Sequence, residues 1–234
     1  MLTRLAISAA ATLLAINPLE AKAECVSSAP ERLELRIFRY SGVSSRNDDM
    51  FSLFHGIISE KLQQLAKEAT NPNLNVKYLA GLRVSPQSSE LDAFANPPGR
   101  ADHLRVLWQY QRSYLLLLTG IFYQTKGADG VTNSFVTSSF YWGDLRPPSL
   151  PDSVQARLAV TPEGFEHARD SHSFITLAAL AMDAKLRKCH SSIVLHFLQT
   201  ASEKAKDLER DRQLSGDLQK LRDYIESEIT LYLS

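Results

Sequence analysis

Ten residues, Tyr114 to Tyr123, read YLLLLTGIFY. A short apolar run bounded by polar residues marks a strand buried on both faces. Gly127 and Asp129-Gly130 follow as a turn signal. Thr132 to Trp142 then returns, with Phe135, Thr137 and Ser139 alternating against Val136, Ser138 and Phe140. The two segments are predicted to form a β-hairpin whose first strand is central in a sheet. The rest of the chain must supply neighbours for that strand and cover its faces.

The upstream sequence offers such neighbours. Leu33, Leu35 and Ile37 alternate with Glu34, Arg36 and Phe38, which predicts a strand over 32–40. Phe51, Phe54, Ile57, Ile58, Leu62 and Leu65 recur at helical spacing, starting near Asp48-Asp49 and stopping near Asn71-Pro72. Leu74, Val76, Tyr78 and Ala80 alternate again and predict a second strand over 74–82. This β-α-β order favours two parallel strands joined by a crossover helix. Residues 85–99 read as loop, and 100–112 as helix.

Downstream, Arg146-Pro147-Pro148-Ser149-Leu150-Pro151 is a stiff connector. Val154, Ala156, Leu158 and Val160 predict a further strand. Thr161-Pro162-Glu163 is a helix start, with a capping hydroxyl, proline at the first helical position and an acid in the first turn. Phe165, Ala168, Ile175, Ala178, Met182 and Leu186 are expected to stripe that helix, and two more helical segments follow, the last striped by Leu218, Leu221 and Ile225. The expected fold is α/β, with a mixed sheet of about five strands in the order β-α-β-α-β-β-β and a C-terminal helical segment of two to three helices. The expected organisation is a signal peptide over 1–23, an α/β domain over 24–160 and the helical segment over 161–234, packed on the domain or appended to it.

The N-terminus reads as an export signal. One positive charge at Arg4 precedes the uncharged stretch Leu5–Ile16, Asn17-Pro18 breaks it, and Ala21-Lys22-Ala23 places small residues for cleavage after Ala23. The apolar run is too short to span a bilayer, which takes about 20 residues, and no later segment is long and apolar enough. A lipid anchor at Cys25 is disfavoured by the preceding Glu24. The expected location is the periplasm or the exterior. Basic and acidic residues are balanced at 26 each, so nothing marks a nucleic-acid binder. In an oxidising compartment the two cysteines, Cys25 and Cys189, are candidates for one disulfide; two unpaired thiols, or pairing with another chain, are the alternatives.

No catalytic constellation stands out. His167 and His172 are five residues apart, pointing about 140° apart on a helix, and lack the i, i+4 spacing of zinc ligands. His190 and His196 are split in the same way, and His55 and His103 stand alone. The six histidines are expected at the surface or half-buried. No G-x-S-x-G elbow, S-x-x-K motif or phosphate-binding glycine pattern occurs. Catalytic, cofactor and metal residues are therefore assigned to none. Tyr123 and Phe140-Tyr141-Trp142 are assigned as candidates for a partner surface, for an envelope protein or a glycan, because Tyr and Trp anchor such contacts; edge-of-core packing is the competing reading.

The strand Leu33–Ile37 with its following helix, and Tyr114-Leu115-Leu116-Leu117-Leu118-Thr119-Gly120 before the hairpin, resemble the anticodon-binding-like α/β domain of exported envelope proteins, the type of the TolB N-terminal domain and CsgG-type curli-secretion lipoproteins. The resemblance covers about residues 32–142. It implies a non-enzymatic assembly or envelope-interaction role. The lipid anchor, the pore-building hairpins and the β-propeller repeats of those proteins have no counterpart here. Three functions follow as expectations: an exported, soluble, non-enzymatic binding or envelope-assembly module; a small exported hydrolase with a site assembled from distant residues; and a solute-sensing domain.

Overall fold

A computed structural model describes residues 34–37, 41–42, 83–86, 115–142, 146–211, 214 and 216–234, with helical positions at 56, 60, 61 and 64. The strands are β1 (Glu34–Ile37), β2 (Ser41–Gly42), β3 (Arg83–Pro86), β4 (Leu115–Lys126), β5 (Thr132–Tyr141) and β6 (Ser153–Ala159). The helices are α1 (Pro162–Leu186), α2 (Ser191–Arg210) and α3 (Asp217–Leu233).

The hairpin forms as its alternation requires. β4 and β5 pair antiparallel from Leu117↔Tyr141 to Lys126↔Thr132. The turn closes through Gly127 N–H to the Val131 carbonyl at 2.7 Å, with Gly130 at φ 80° in the left-handed region that glycine enters without cost. β6 adds antiparallel to β5, pairing Val136↔Leu158 and Phe140↔Val154. Period two then puts Leu118 and Phe122, Val136 and Phe140, and Val154 and Leu158 on one buried face. Between them Gly120, Ser138 and Ala156 are cross-strand neighbours, a row of small residues on that same face.

The expected α/β class, with about five strands in a mixed sheet and helices attached at the end, is corrected. The body is a three-stranded antiparallel sheet, β4-β5-β6, with three helices packed together on it. Parallel pairing is confined to β1, β2 and β3, two to four residues each, in the order β3-β1-β4-β5-β6 with β2 beside β4. The third strand lies at Arg83–Pro86, just past the strand expected over 74–82 and running into the stretch read as loop from Ser85; the strand expected over 74–82 lies outside the described residues. The helical positions at 56, 60, 61 and 64 fall within the first helix expected from the sequence.

The physical reason for the correction is α1. Thr161 Oγ1 accepts from Gly164 N–H at 3.0 Å, so the helix starts where the cap and proline demand. Past its first turns it does not behave as an amphipathic surface helix. Every residue from Ser171 to Ala184 is buried. A helix enclosed on all sides belongs to the core. It contacts β6, α2 and α3, and one hydrophobic cluster runs from Leu118 in β4 to Ile225 in α3. The 160/161 boundary therefore divides two segments that share a single core. Leu186, expected on the apolar stripe, is 50% exposed, because the fully enclosed stretch ends at Ala184.

α1 stops at Lys188, whose φ of 52° turns the chain, and Cys189 N–H closes on the Ala184 carbonyl at 3.0 Å. His190 caps α2 by accepting from Ser192 N–H. Gly216 at φ 57° opens α3 with no side-chain cap. No described helix is long and apolar enough to cross a membrane.

Candidate functional site

A cleft of about 300 Å³ lies along β6, where the strand meets α1 and the start of α3; Thr137, Gln155, Ala156, Arg157, Leu158, Ser171, Gly216, Asp217 and Leu218 line it. Its origin is local. Ala156 ends the row of small residues that begins at Gly120, so at the sheet edge little side-chain volume stands between β6 and α1. Ser171 faces that space from the helix. It is wholly buried, and its Oγ has no hydrogen-bond partner among the described residues. Native proteins seldom leave a buried hydroxyl unmet, and such a group calls for an explanation.

Arg157 alternates with the buried Ala156 and Leu158 and so belongs to the opposite, exposed register of β6. Its guanidinium carbon is 4.6 Å from the ring centroid of Phe135 and 5.4 Å from that of Tyr123, within cation–π range. The two rings are themselves stacked at 5.8 Å, and Thr137 Oγ1 donates to Tyr123 Oη at 3.5 Å. Thr137 and Arg157 thus connect the cleft to an aromatic pair on the neighbouring strands. Asp217, the first residue of α3, lines the same cleft and pairs with Lys220 at 3.4 Å.

A second cleft, of about 390 Å³, lies between the proline connector, the end of α1 and α3, lined by Pro147, Pro148, Met182, Lys185, Tyr224 and Glu228 among others. Its polar groups are already engaged: Lys185 Nζ donates to Glu228 at 2.6 Å. The Tyr224 phenol is held protonated well above its ordinary range, first by burial and then by the Glu228 carboxylate. Arg146 is tied to Asp152 at 3.0 Å. This cleft is apolar packing space with a satisfied rim, whereas the β6 cleft holds an unmet group.

The four aromatic candidates separate. Tyr123 is partly exposed and stacks beside the β6 cleft. Tyr141 is half-buried. Phe140 and Trp142 have no exposure and belong to the core, which corrects their assignment to a partner surface: Phe140 falls on the buried register of β5, and Trp142 follows just past the strand's end. Phe140 meets the edge of the His172 ring, with centroids 5.0 Å apart. His172 is likewise fully buried, against the expectation for histidines. Its Nδ1–H donates to the Ala168 carbonyl at 2.5 Å, and burial pulls the imidazole down to about 4, the backbone bond opposing. His167 is 4.0 Å from Asp211, and Asp170 is 3.6 Å from Lys204, so the His167-Asp170-His172 group disperses into separate contacts. Among the described residues no three metal-ligating side chains converge.

Ser171 and Arg157 were not singled out by sequence. Arg157 carries one readable signal, a charge on the polar register of a predicted strand. Ser171 carries none, because an unmet hydroxyl is a property of the packing around it. Cys189 is half-buried against the core and is not a free thiol; Cys25 lies outside the described residues, as does the segment 1–23.

No family model, curated protein or solved structure matches this chain.

Proposed function

We propose that this chain is an exported, non-enzymatic binding module that holds a small ligand in the cleft along β6. The observation that carries the reading is the concave cleft of about 300 Å³ itself, whose lining combines Thr137, Gln155, Arg157 and Asp217 with the uncapped start of α3, beside the buried Ser171 hydroxyl. A site with a few placed polar groups and a concave wall is how small molecules are held. The hydrolase reading would need a base within reach of Ser171. The described residues lining the cleft include no histidine, and Asp217 is engaged with Lys220.

Export rests on the Leu5–Ile16 stretch and the Ala21-Lys22-Ala23 site, which place the mature N-terminus at Glu24 in the periplasm or outside the cell. In that compartment Cys25 and Cys189, the chain's two cysteines, pair. The bridge would tie the new N-terminus to the corner between α1 and α2. The resemblance of the 32–142 segment to envelope-protein domains agrees with a role there, with an envelope solute, glycan or protein component as the ligand's source.

The test is a screen of the processed chain against a broad panel of small metabolites and glycan fragments. Amide resonances of Ser171 and Leu218 serve as reporters. Saturable movement of both by the same compound is the expected result. If no compound in the panel moves them, the binding reading fails. N-terminal sequencing of the exported protein should start at Glu24, and unreduced digests should contain the Cys25–Cys189 peptide pair.

A further inference from the structure

β6 is an edge strand: it pairs with β5 on one side and with no other strand among the described residues. Val160 N–H donates to the Ser134 carbonyl at 2.9 Å. That bond makes 134/160, and every second pair from it, the pairs that exchange hydrogen bonds across β5 and β6. Val154, Ala156 and Leu158 therefore turn their main-chain groups to β5. The N–H and C=O groups of Gln155, Arg157 and Ala159 point the other way, to the free edge. All three residues are exposed. Proteins usually blunt such an edge with lysine, proline, a bulge or short length. β6 runs seven residues, Ser153–Ala159, without lysine or proline and in unbroken register with β5.

Resting on the binding reading above, we infer that the β6 cleft takes an extended peptide segment of a partner protein. The segment adds to β6 as an antiparallel strand, with acidic residues on one face and small apolar residues on the other. In this mode main-chain bonds supply affinity and alternate side chains supply specificity. Charge complementarity selects the first face. Residues of the added strand opposite Arg157 and Ala159 project to the same side of the sheet as these two. Arg157 is the one charged residue on that face of β4, β5 and β6, and it forms no ion pair among the described residues. Its guanidinium lies over Phe135, whose cross-strand partner is Ala159. That small side chain leaves the charge open to the edge. The cleft selects the other face. The intervening side chains enter the space of about 300 Å³ beside Ala156, Leu158 and Leu218, which suits small apolar groups. A second copy of this chain fits less well. Antiparallel pairing of two β6 edges puts both helical layers on one side of the joined sheet, where the start of α3 already lines the cleft.

The experiment is an NMR titration of the full processed chain with a blocked peptide, Thr-Val-Glu-Val-Glu-Val-Thr. One control carries lysine in place of both glutamates. Another is N-methylated at both glutamates, which removes N–H groups that would face β6. The Gln155 and Arg157 backbone amides report. The glutamate peptide should shift both saturably and slow their exchange with solvent. The lysine peptide should bind at least tenfold more weakly, and the N-methylated peptide should not bind. Arg157→Gln should bring the glutamate and lysine peptides within about threefold of each other. Gln155→Pro removes an edge N–H that β5 does not use, and should weaken the glutamate peptide at least tenfold; the N-methylated peptide asks the same question with the protein unaltered. Equal binding of the N-methylated peptide overturns the added strand. Equal binding of the glutamate and lysine peptides to the wild type overturns the acidic partner. Slow exchange of both amides without peptide, in a chain that sediments as a dimer, overturns the assignment in favour of a second copy. No saturable shift from the glutamate peptide also overturns it, whereas the binding reading itself fails only in the broad screen.

Discussion

Gly164 sits against the main-chain carbonyl of Ala159 so closely that a Cβ there would lie far inside any non-bonded contact distance of the oxygen. The contact joins the end of β6 to the first turn of α1, and both sides of it are backbone. Gly164→Ala must therefore push the strand and the helix apart. Overpacking of this kind costs about 1–3 kcal/mol, and the rigid partner places it at the upper end. The gain in helix propensity, about 1 kcal/mol, offsets part. Urea unfolding should show a net loss of about 2 kcal/mol, with Glu163→Ala close to wild type as the control.

Asp183 and Arg187 form an ion pair inside the protein, with Arg187 Nε at 3.0 and 3.1 Å from the two carboxylate oxygens and side chains only 1% and 4% exposed. Removing one partner strands the other charge away from water. Asp183→Asn should cost about 3–5 kcal/mol, and the double replacement Asp183→Leu with Arg187→Met should recover most of it. A double-mutant cycle in urea measures both.

Ser171 and Ser202 are both buried serines with opposite expectations. Ser202 Oγ donates to Glu226 at 2.5 Å, so Ser202→Ala should destabilise by about 1–2 kcal/mol. Ser171 Oγ has no hydrogen-bond partner among the described residues. Ser171→Ala should leave stability unchanged or raise it by about 1 kcal/mol. A fall in stability comparable to that of Ser202→Ala would mean that the hydroxyl serves the fold.

The folded chain keeps His172 neutral down to about pH 4, first because burial penalises the imidazolium. In the unfolded chain a histidine takes up its proton near 6.5. Between those values the unfolded state binds more protons, so stability rises with pH across that window. The contribution is complete above about 6.5 and is lost as pH falls towards 4, on the order of 3 kcal/mol. The ring resonances of His172 should stay flat from pH 8 to 5, and in His172→Phe the acid-side loss of stability should shrink.

Much of the hairpin, β6 and the start of α1 is readable from residues alone. Alternation separates Phe135 and Val136 onto opposite faces of β5, and Thr161-Pro162 sets the helix start. The enclosure of α1 is not readable in the same way. Its run from Ser171 to Ala184 mixes Ser, His, Thr, Ala and Asp with larger apolar residues, so no single stripe announces burial on every side. That burial depends on α2 and α3 arriving from later in the chain. The site escapes for a related reason. Tyr123 was visible as an aromatic on a strand, but the cleft beside it exists only because the small Ala156 meets α1 at a sheet edge. Phe140 and Trp142 misled as surface candidates because composition alone does not distinguish the two registers of β5.

The enclosure of α1 also sets a schedule for assembly. A chain that emerges N-terminus first presents the apolar faces of β4 and β5 before the residues that cover them exist outside the channel. Even when α1 has followed, its remaining faces wait for α2 and α3, which come later in the chain. Such transiently uncovered surface invites misassociation. Closure of the core therefore waits on α2 and α3, and until they have followed, the faces of β4, β5 and α1 stay open to misassociation.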